Sequence, residues 1–248
     1  MRVATWNVNG IRAREAQVRE WLGRDKLDAV CLQEIKAKPE QIPAMLFESE
    51  GYWCYWHGAG GYSGVALHLG HELCAERPTF AHPGFDLETR IVTAEIGNIT
   101  LASVYVPNGG KDYEAKLRFL EALEGFARER REAGAELILC GDLNVALTDK
   151  DVHPKERKPG VIGQRPEERE LLQGIIAQGL VDVGRALQPD NEELFTWWPP
   201  WRNMRQRNIG WRIDYILASE ALARRATECV VRADVGTSDH APVVATFA

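Results

Sequence analysis

Between Ala135 and Val145 the chain runs from a core strand into a polar pair. Leu137 to Leu139 is a short apolar run, which reads as a buried strand. It stops abruptly at Gly141-Asp142-Leu143-Asn144. Asp142 and Asn144 are two residues apart, so an extended backbone points both to one face. A carboxylate and an amide then stand side by side where a buried strand surfaces. Layered α/β folds place their active sites at such strand ends. The competing reading is plain turn chemistry, because Gly, Asp and Asn are common turn residues.

The same alternation of buried runs and polar breaks recurs along the chain. Arg2–Val8 reads as a strand that breaks at Asn9-Gly10, and Ile11–Gly23 as a helix with Val18, Trp21 and Leu22 on one face. Leu27–Gln33 is a second apolar strand, followed by Glu34, and Pro39–Phe47 reads as a helix with Pro in its first turn. Tyr52–His57 and Val65–Leu69 are short strands on either side of the Gly-rich turn at Gly58–Gly61. Arg90–Ile96 and Ile99–Val106 form a hairpin through Gly97-Asn98. Tyr113–Arg130 and Pro166–Gln178 carry leucines and isoleucines at helical spacing. Between them a polar loop, Thr148–Gln164, contains Pro154 and Pro159. Phe195–Trp201 starts as a strand and breaks at Pro199-Pro200; Ile213–Leu217, Thr227–Val231 and Ala241–Phe247 close the chain as strands. Many strands with about four helices between them imply two sheets packed face to face with helices outside. Each half has strand–helix–strand runs that end in polar turns, which hints at a doubled architecture.

The chain's 248 residues suffice for one large domain or two small ones. No signal-peptide pattern and no membrane-length apolar run is present. The five cysteines form no metal-binding spacing, and buried free thiols in a reducing, cytoplasmic setting are expected. The net charge of −6 argues mildly against a non-specific nucleic-acid clamp. Local charge says more. Trp197–Ile213 has four arginines (202, 205, 207 and 212) and no acid, and Lys150–Arg165 has five basic residues against two acidic ones. An acidic back and a basic rim are expected.

Polar groups collect at the strand ends: Asn7, Asn9, Glu34, Tyr105, Asn108, Asp142, Asn144, Asp214, Asp239 and His240. Singly, each has an ordinary explanation as a cap, a turn or a surface residue. Together they form an oxygen-rich set with one histidine and no cysteine, which suits Mg²⁺ or Mn²⁺ better than zinc. One or two carboxylates are enough to hold Mg²⁺, which leaves the others free to orient and deprotonate a water. His240 either steadies a phosphate oxygen or acts as base, and Asp214 is its candidate partner. Metal-assisted hydrolysis of a phosphate ester is the chemistry such a set performs.

Seven motifs in order resemble the exonuclease III type of apurinic/apyrimidinic (AP) endonuclease, in the endonuclease/exonuclease/phosphatase superfamily: Thr5-Trp-Asn-Val-Asn-Gly10, Leu32-Gln-Glu34, Tyr62-Ser-Gly-Val65, Tyr105-Val-Pro-Asn108, Gly141-Asp-Leu-Asn144, Gly210-Trp-Arg-Ile-Asp-Tyr215 and Ser238-Asp-His240. The resemblance implies a single domain over residues 1–248 with an α/β fold, a four-layer sandwich of two packed mixed β-sheets flanked by helices. It implies Mg²⁺-dependent cleavage of duplex DNA 5′ to abasic sites, with 3′–5′ exonuclease and 3′-phosphatase or phosphodiesterase activity, by a monomer. Glu34 would be the main metal ligand, with Asn7, Asn9 and Asp239 near the metal. Asp142 would orient or deprotonate the attacking water, with Asn144 beside it on the phosphate. His240, paired with Asp214, would contact the phosphate; Tyr105 and Asn108 would contact it or stabilise the leaving group. Some relatives carry Asp at position 9, so Asn9 removes one negative charge near the metal.

Residues Phe195–Trp211 hold four of the eight tryptophans, interleaved with arginines. Such a stretch is either an irregular core plug or a platform for bases and phosphates. By resemblance, Trp197, Trp211 and Ile213 would line a pocket for the base-free sugar, and Trp201, after a rigid diproline, would wedge into the duplex. Arg205 and Arg207 belong to the same basic loop, and Lys111 would reach the strand from the other side. Lys36 and Lys38, just past Glu34, would touch phosphate. The alternative is a superfamily phosphatase or phosphodiesterase acting on inositol or lipid phosphates, which shares the Asn, Glu, Asp-Asn and Asp-His core but lacks the Tyr105-Val-Pro-Asn108 and Trp211–Tyr215 context. A binding module with dead chemistry is disfavoured, because every expected catalytic residue is present.

Overall fold

The computed structural model describes residues 1–158 and 160–248. Its elements run β1 (Arg2–Asn7), α1 (Ile11–Asp25), β2 (Ala29–Gln33), α2 (Ala44–Glu48), β3 (Tyr52–His57), β4 (Val65–Gly70), β5 (Phe80–Ala81), β6 (Ile91–Ile96) and β7 (Ile99–Tyr105). There follow α3 (Tyr113–Glu132), β8 (Glu136–Asp142), α4 (Pro166–Ile176), β9 (Leu180–Asp182), α5 (Val183–Leu187), β10 (Asp214–Ser219), α6 (Glu220–Ala223), β11 (Ala226–Val231) and β12 (Val243–Phe247). Two six-stranded sheets result, ordered β11-β12-β1-β2-β4-β3 and β5-β6-β7-β8-β10-β9. Each is mixed: β1 pairs parallel with β2 and β7 with β8, while the flanking pairs are antiparallel. The two orders correspond strand for strand about these parallel pairs, each joined by a helix, so the doubling suggested by the sequence is present in the topology.

The layers follow from side-chain alternation. Inward residues of both sheets, among them Val3, Cys31, Leu67, Leu101, Ile138 and Ile216, form one shared core. The outer face of the first sheet packs on α1 and α2, where Trp6 meets Trp21 edge-on at 5.5 Å. That contact stabilises the layer by about 1 kcal/mol beyond area burial. The outer face of the second sheet packs on α3 and α4 through Phe119, Leu120, Leu123, Leu172 and Ile175. The stack is therefore helix, sheet, sheet, helix. Gly141 is obligatory in β8: a Cβ there would collide with the carbonyl oxygen of Val104 on β7.

Four local expectations need correction. Pro39–Phe47 is not one helix; a 3₁₀ turn at Pro39–Gln41 precedes α2, and Pro43 separates them, having no N–H to continue the ladder. Phe195–Trp201 is not a strand. It makes only isolated bridges, from Trp197 to Trp211 and to His240. The loop 148–164 contains 3₁₀ turns at Asp149–Asp151 and Pro154–Glu156, while Pro159 lies outside the described residues. The short elements β5, β9, α5 and α6 carry too few residues for a periodic signal. The cysteines behave as expected: four are buried, Cys74 is partly buried, and none is paired.

Candidate active site

One end of the sandwich gathers the polar strand ends. Asn7 closes β1, Glu34 follows β2, Tyr105 closes β7 and Asp142 closes β8. β10 runs antiparallel to β8, so it brings Asp214 in at its start. Register then sets three groups in a row, with Asp142 opposite Tyr105 on one side and Asp214 on the other. His240 arrives in the loop just before β12. Asn9, Glu34, Lys36 and Asn144 all have left-handed backbone, with φ of 45°, 51°, 49° and 52°. Non-glycine residues adopt this region at a cost, and such residues collect where function demands a fixed geometry.

The hydrogen bonds link these groups into one network. Asn7 Nδ2 donates to Glu34 Oε1 at 3.0 Å and to Asp142 Oδ2 at 2.9 Å. Tyr105 donates its hydroxyl to Glu34 Oε1 at 2.7 Å. Asp142 also accepts from the Asn144 backbone N–H at 2.9 Å, and Asn144 Nδ2 donates to Val106 O at 2.9 Å. His240 Nδ1 sits 2.9 Å from Asp214 Oδ2, and its Nε2 faces Asp142 Oδ2 at 3.9 Å. Asp239 accepts from Asn9 Nδ2 at 2.8 Å and from Trp197 Nε1 at 3.0 Å. Ser238 Oγ donates to Asn7 O at 2.7 Å and locks the two ends of the site together.

Charge separates the roles. Burial opposes a charge on His240, but Asp214 and Asp142 overcome it and push its pKa up to about 10. The imidazole is thus a cation at neutral pH, which favours the phosphate-contacting reading over the base. Burial pushes Asp142 up to about 7; neighbouring Asp214 and Glu34 reinforce the rise, and His240 opposes it. Glu34 is held below its usual range: burial opposes this, but Lys36 and Asn7 hydrogen-bond the carboxylate.

An acidic cluster able to hold a metal is present. One ligand atom each from Asp142, Asp214 and His240 lies within 4.8 Å of the others. The imidazole there already has its Nδ1 engaged by Asp214 at 2.9 Å. The oxygens around Glu34 fit a hard cation better. Lys36 Nζ lies 2.7 Å from both Glu34 Oε2 and Asn9 Oδ1, so a positive charge already sits where those oxygens converge. Glu34 and Asp239 are both held below the usual carboxylate range, and their oxygens suit a divalent ion.

These groups open into a cleft of about 410 Å³, lined also by Asn108, Trp197, Trp211 and Ile213. Trp197 and Trp211 meet edge-on at 5.6 Å. Sequence reasoning did not single out several supporting residues. Lys116 is fully buried, donates to Asn144 O at 2.8 Å and pairs with Glu168 at 3.3 Å. It stands on the apolar face of α3 one turn before Leu120, and a lysine at such a position was the available signal. The Arg90 guanidinium lies over the Tyr105 ring at 4.7 Å, a contact no local pattern announces. Ile162 completes the cleft wall.

The family-level comparison matches residues 4–240 to the endonuclease/exonuclease/phosphatase family. The chain belongs to that family. It is 35% identical over 250 residues to an exodeoxyribonuclease of Bacillus subtilis (strain 168), covering 98% of each chain. It is 34% identical over 261 residues to the DNA repair nuclease APEX1 of Danio rerio, covering 98% of this chain and 81% of that one. Among solved structures, the 3′–5′ exonuclease NExo of Neisseria meningitidis superimposes with a TM-score of 0.91 at 31% identity, covering 100% of this chain and 99% of that one. An AP endonuclease of Archaeoglobus fulgidus gives 0.88, also at 31% identity and with the same coverage. The four-layer architecture is thus shared with nucleases of this family.

The basic rim is narrower than the arginine count implied. Arg212 is buried, with Nε 2.7 Å from Asp151 and NH2 2.7 Å from Asp182, so its charge is neutralised inside the fold. Arg205 is partly buried and donates to the carbonyls of Ser238, Ala233 and Val235, bracing the loop that carries Trp201. Arg207, Lys111 and Asn108 are exposed, and Trp201 is 58% exposed.

Proposed function

We propose that the chain is a DNA-repair nuclease that hydrolyses the phosphodiester 5′ to an abasic site in duplex DNA and also removes nucleotides and phosphates from 3′ ends, with Mg²⁺ or Mn²⁺. The observation that carries this reading is the union, in one cleft, of Glu34, Asp142, Asp239 and His240 with the apolar wall of Trp197, Trp211 and Ile213. The wall accepts a deoxyribose without a base and rejects a full nucleotide by size. An enzyme of free inositol phosphates has no use for such a wall beside its charged groups.

Glu34, with Asn7, Asn9 and Asp239 around it, would hold the metal, which when bound neutralises phosphate charge. His240, kept cationic by Asp214, would contact a non-bridging phosphate oxygen and stabilise the charge that grows there. Asp142 is fixed by Asn7 and by the Asn144 N–H, and its Oδ2 faces the His240 Nε2. From there it would orient the attacking water and take its proton. Tyr105 and Asn108 would face the leaving-group side. Exposed Trp201 would press into the duplex, with Arg207 and Lys111 on the phosphates and Arg205 holding the loop in place.

The test is a duplex with one abasic analogue, incubated with Mg²⁺ or with EDTA. Incision 5′ to the lesion is expected with Mg²⁺ only. Asp142→Asn should retain abasic-DNA affinity and lower turnover by about a thousandfold. Wild-type protein that leaves the duplex intact yet releases phosphate from an inositol phosphate would overturn the reading.

A further inference from the structure

Where the edge strands of the two sheets meet, at the same strand end as the cleft but outside its lining, three more side chains converge. His57 closes β3, the edge strand of the first sheet; His82 follows β5, the edge strand of the second; Asp86 lies in the turn before β6. One ligand atom of each lies within 4.8 Å of the other two. His57 Nε2 is 2.6 Å from Asp86 Oδ2, and the two imidazoles stack at 3.8 Å with 23° between their planes.

Each of two ligands is oriented by groups behind it. His82 Nδ1 donates to the Ile91 carbonyl at 3.1 Å. That bond puts a proton on Nδ1 and makes Nε2, which lies 2.9 Å from the Tyr55 hydroxyl, the ring nitrogen available to a metal. Asp86 Oδ1 accepts the backbone N–H groups of Arg90 at 2.8 Å and Ile91 at 3.1 Å, which leaves Oδ2 for the histidines. Carbonyl-anchored imidazoles and doubly hydrogen-bonded carboxylates are the supports that metal ligands characteristically have.

We propose that His57, His82 and Asp86 form a site for a divalent transition metal of the Zn²⁺ class, and that the ion clips the two sheets together at their edges. Two imidazoles and one carboxylate favour Zn²⁺, Ni²⁺ or Cu²⁺ over Mg²⁺, so the site and the catalytic cleft select different ions. Ligand atoms about 3.3 Å apart would satisfy tetrahedral zinc at bond lengths of about 2.0–2.1 Å. The closing movement falls to His82, whose side chain is exposed. That exposure also gives the ion access and leaves room for a water as fourth ligand.

Co²⁺ reports this site through its visible absorption. The full chain, with millimolar Mg²⁺ present to occupy the catalytic oxygens, should show a tetrahedral Co²⁺ band that saturates at one equivalent. Zn²⁺ at about a hundred times its dissociation constant should raise the melting temperature by about 5–10 °C. His82→Ala and His57→Gln should each abolish the band and the shift; Glu34→Gln, in the cleft, should keep both. A band that survives His82→Ala, or one lost with Glu34→Gln, would overturn the proposal. Should His57→Gln fail to fold, His82→Ala, at an exposed position, decides alone.

Discussion

His68 ties the stability of this nuclease fold to pH. It lies fully buried on β4, between the rings of Trp56 at 4.5 Å and Phe47 at 5.8 Å. Neither ring nitrogen has a hydrogen-bond partner among the described residues. Burial alone pushes its pKa down from 6.5 to about 3. Above pH 6.5 the side chain is neutral whether the chain is folded or not, and His68 adds no pH dependence. Between pH 6.5 and 3 the unfolded chain binds a proton that the folded chain refuses, so stability falls as pH falls. At pH 5 the difference is 1.5 pH units below the unfolded pKa, or about 2 kcal/mol. His68→Leu substitutes an apolar side chain of similar volume and removes this proton uptake. Melting temperatures of both proteins at pH 7.5 and pH 5 test the idea. Carboxylate effects are common to both, so the wild type should lose about 4–8 °C more than the variant over this interval. Equal losses would refute the assignment.

Two further substitutions probe the site and its frame. Asp214→Asn removes the carboxylate that keeps His240 cationic; single-turnover incision should slow by about a hundredfold to a thousandfold while DNA affinity, read by fluorescence anisotropy, changes little. Gly141→Ala drives a methyl group into the Val104 carbonyl and should cost about 3 kcal/mol, visible as a melting temperature lower by about 6–12 °C.

Much of the site could be read from the chain because its residues sit at the ends of short apolar strands. Gly141-Asp-Leu-Asn144 is the clearest case: an apolar run, an obligatory glycine and a polar pair announce a buried strand reaching the surface. The His–Asp partnership across 26 residues was also accessible, because both motifs flank strands and the histidine needs a counter-charge. Lys116 and Arg90 were not, because each acts through a contact between distant elements. Arg212 misled for a related reason. Its sequence neighbours are basic and aromatic, but its counter-charges, Asp151 and Asp182, are 61 and 30 residues away. The split of Pro39–Phe47 at Pro43 was a local matter, legible from the missing N–H of proline.

By itself the sequence determined where the longer strands run, which apolar residues form their buried faces, and which polar groups stand at their ends. Those properties depend on neighbours within a few positions, through side-chain alternation, helical spacing and backbone freedom. Tertiary structure alone decided which strand ends meet. It put β8 between β7 and β10, so that Asp142 stands between Tyr105 and Asp214, and it brought His57 on one sheet against His82 on the other. Register and sheet-on-sheet packing are set by burial of the whole shared core. The charge states of Asp142 and His240 then follow from depth and from carboxylates far away in the chain.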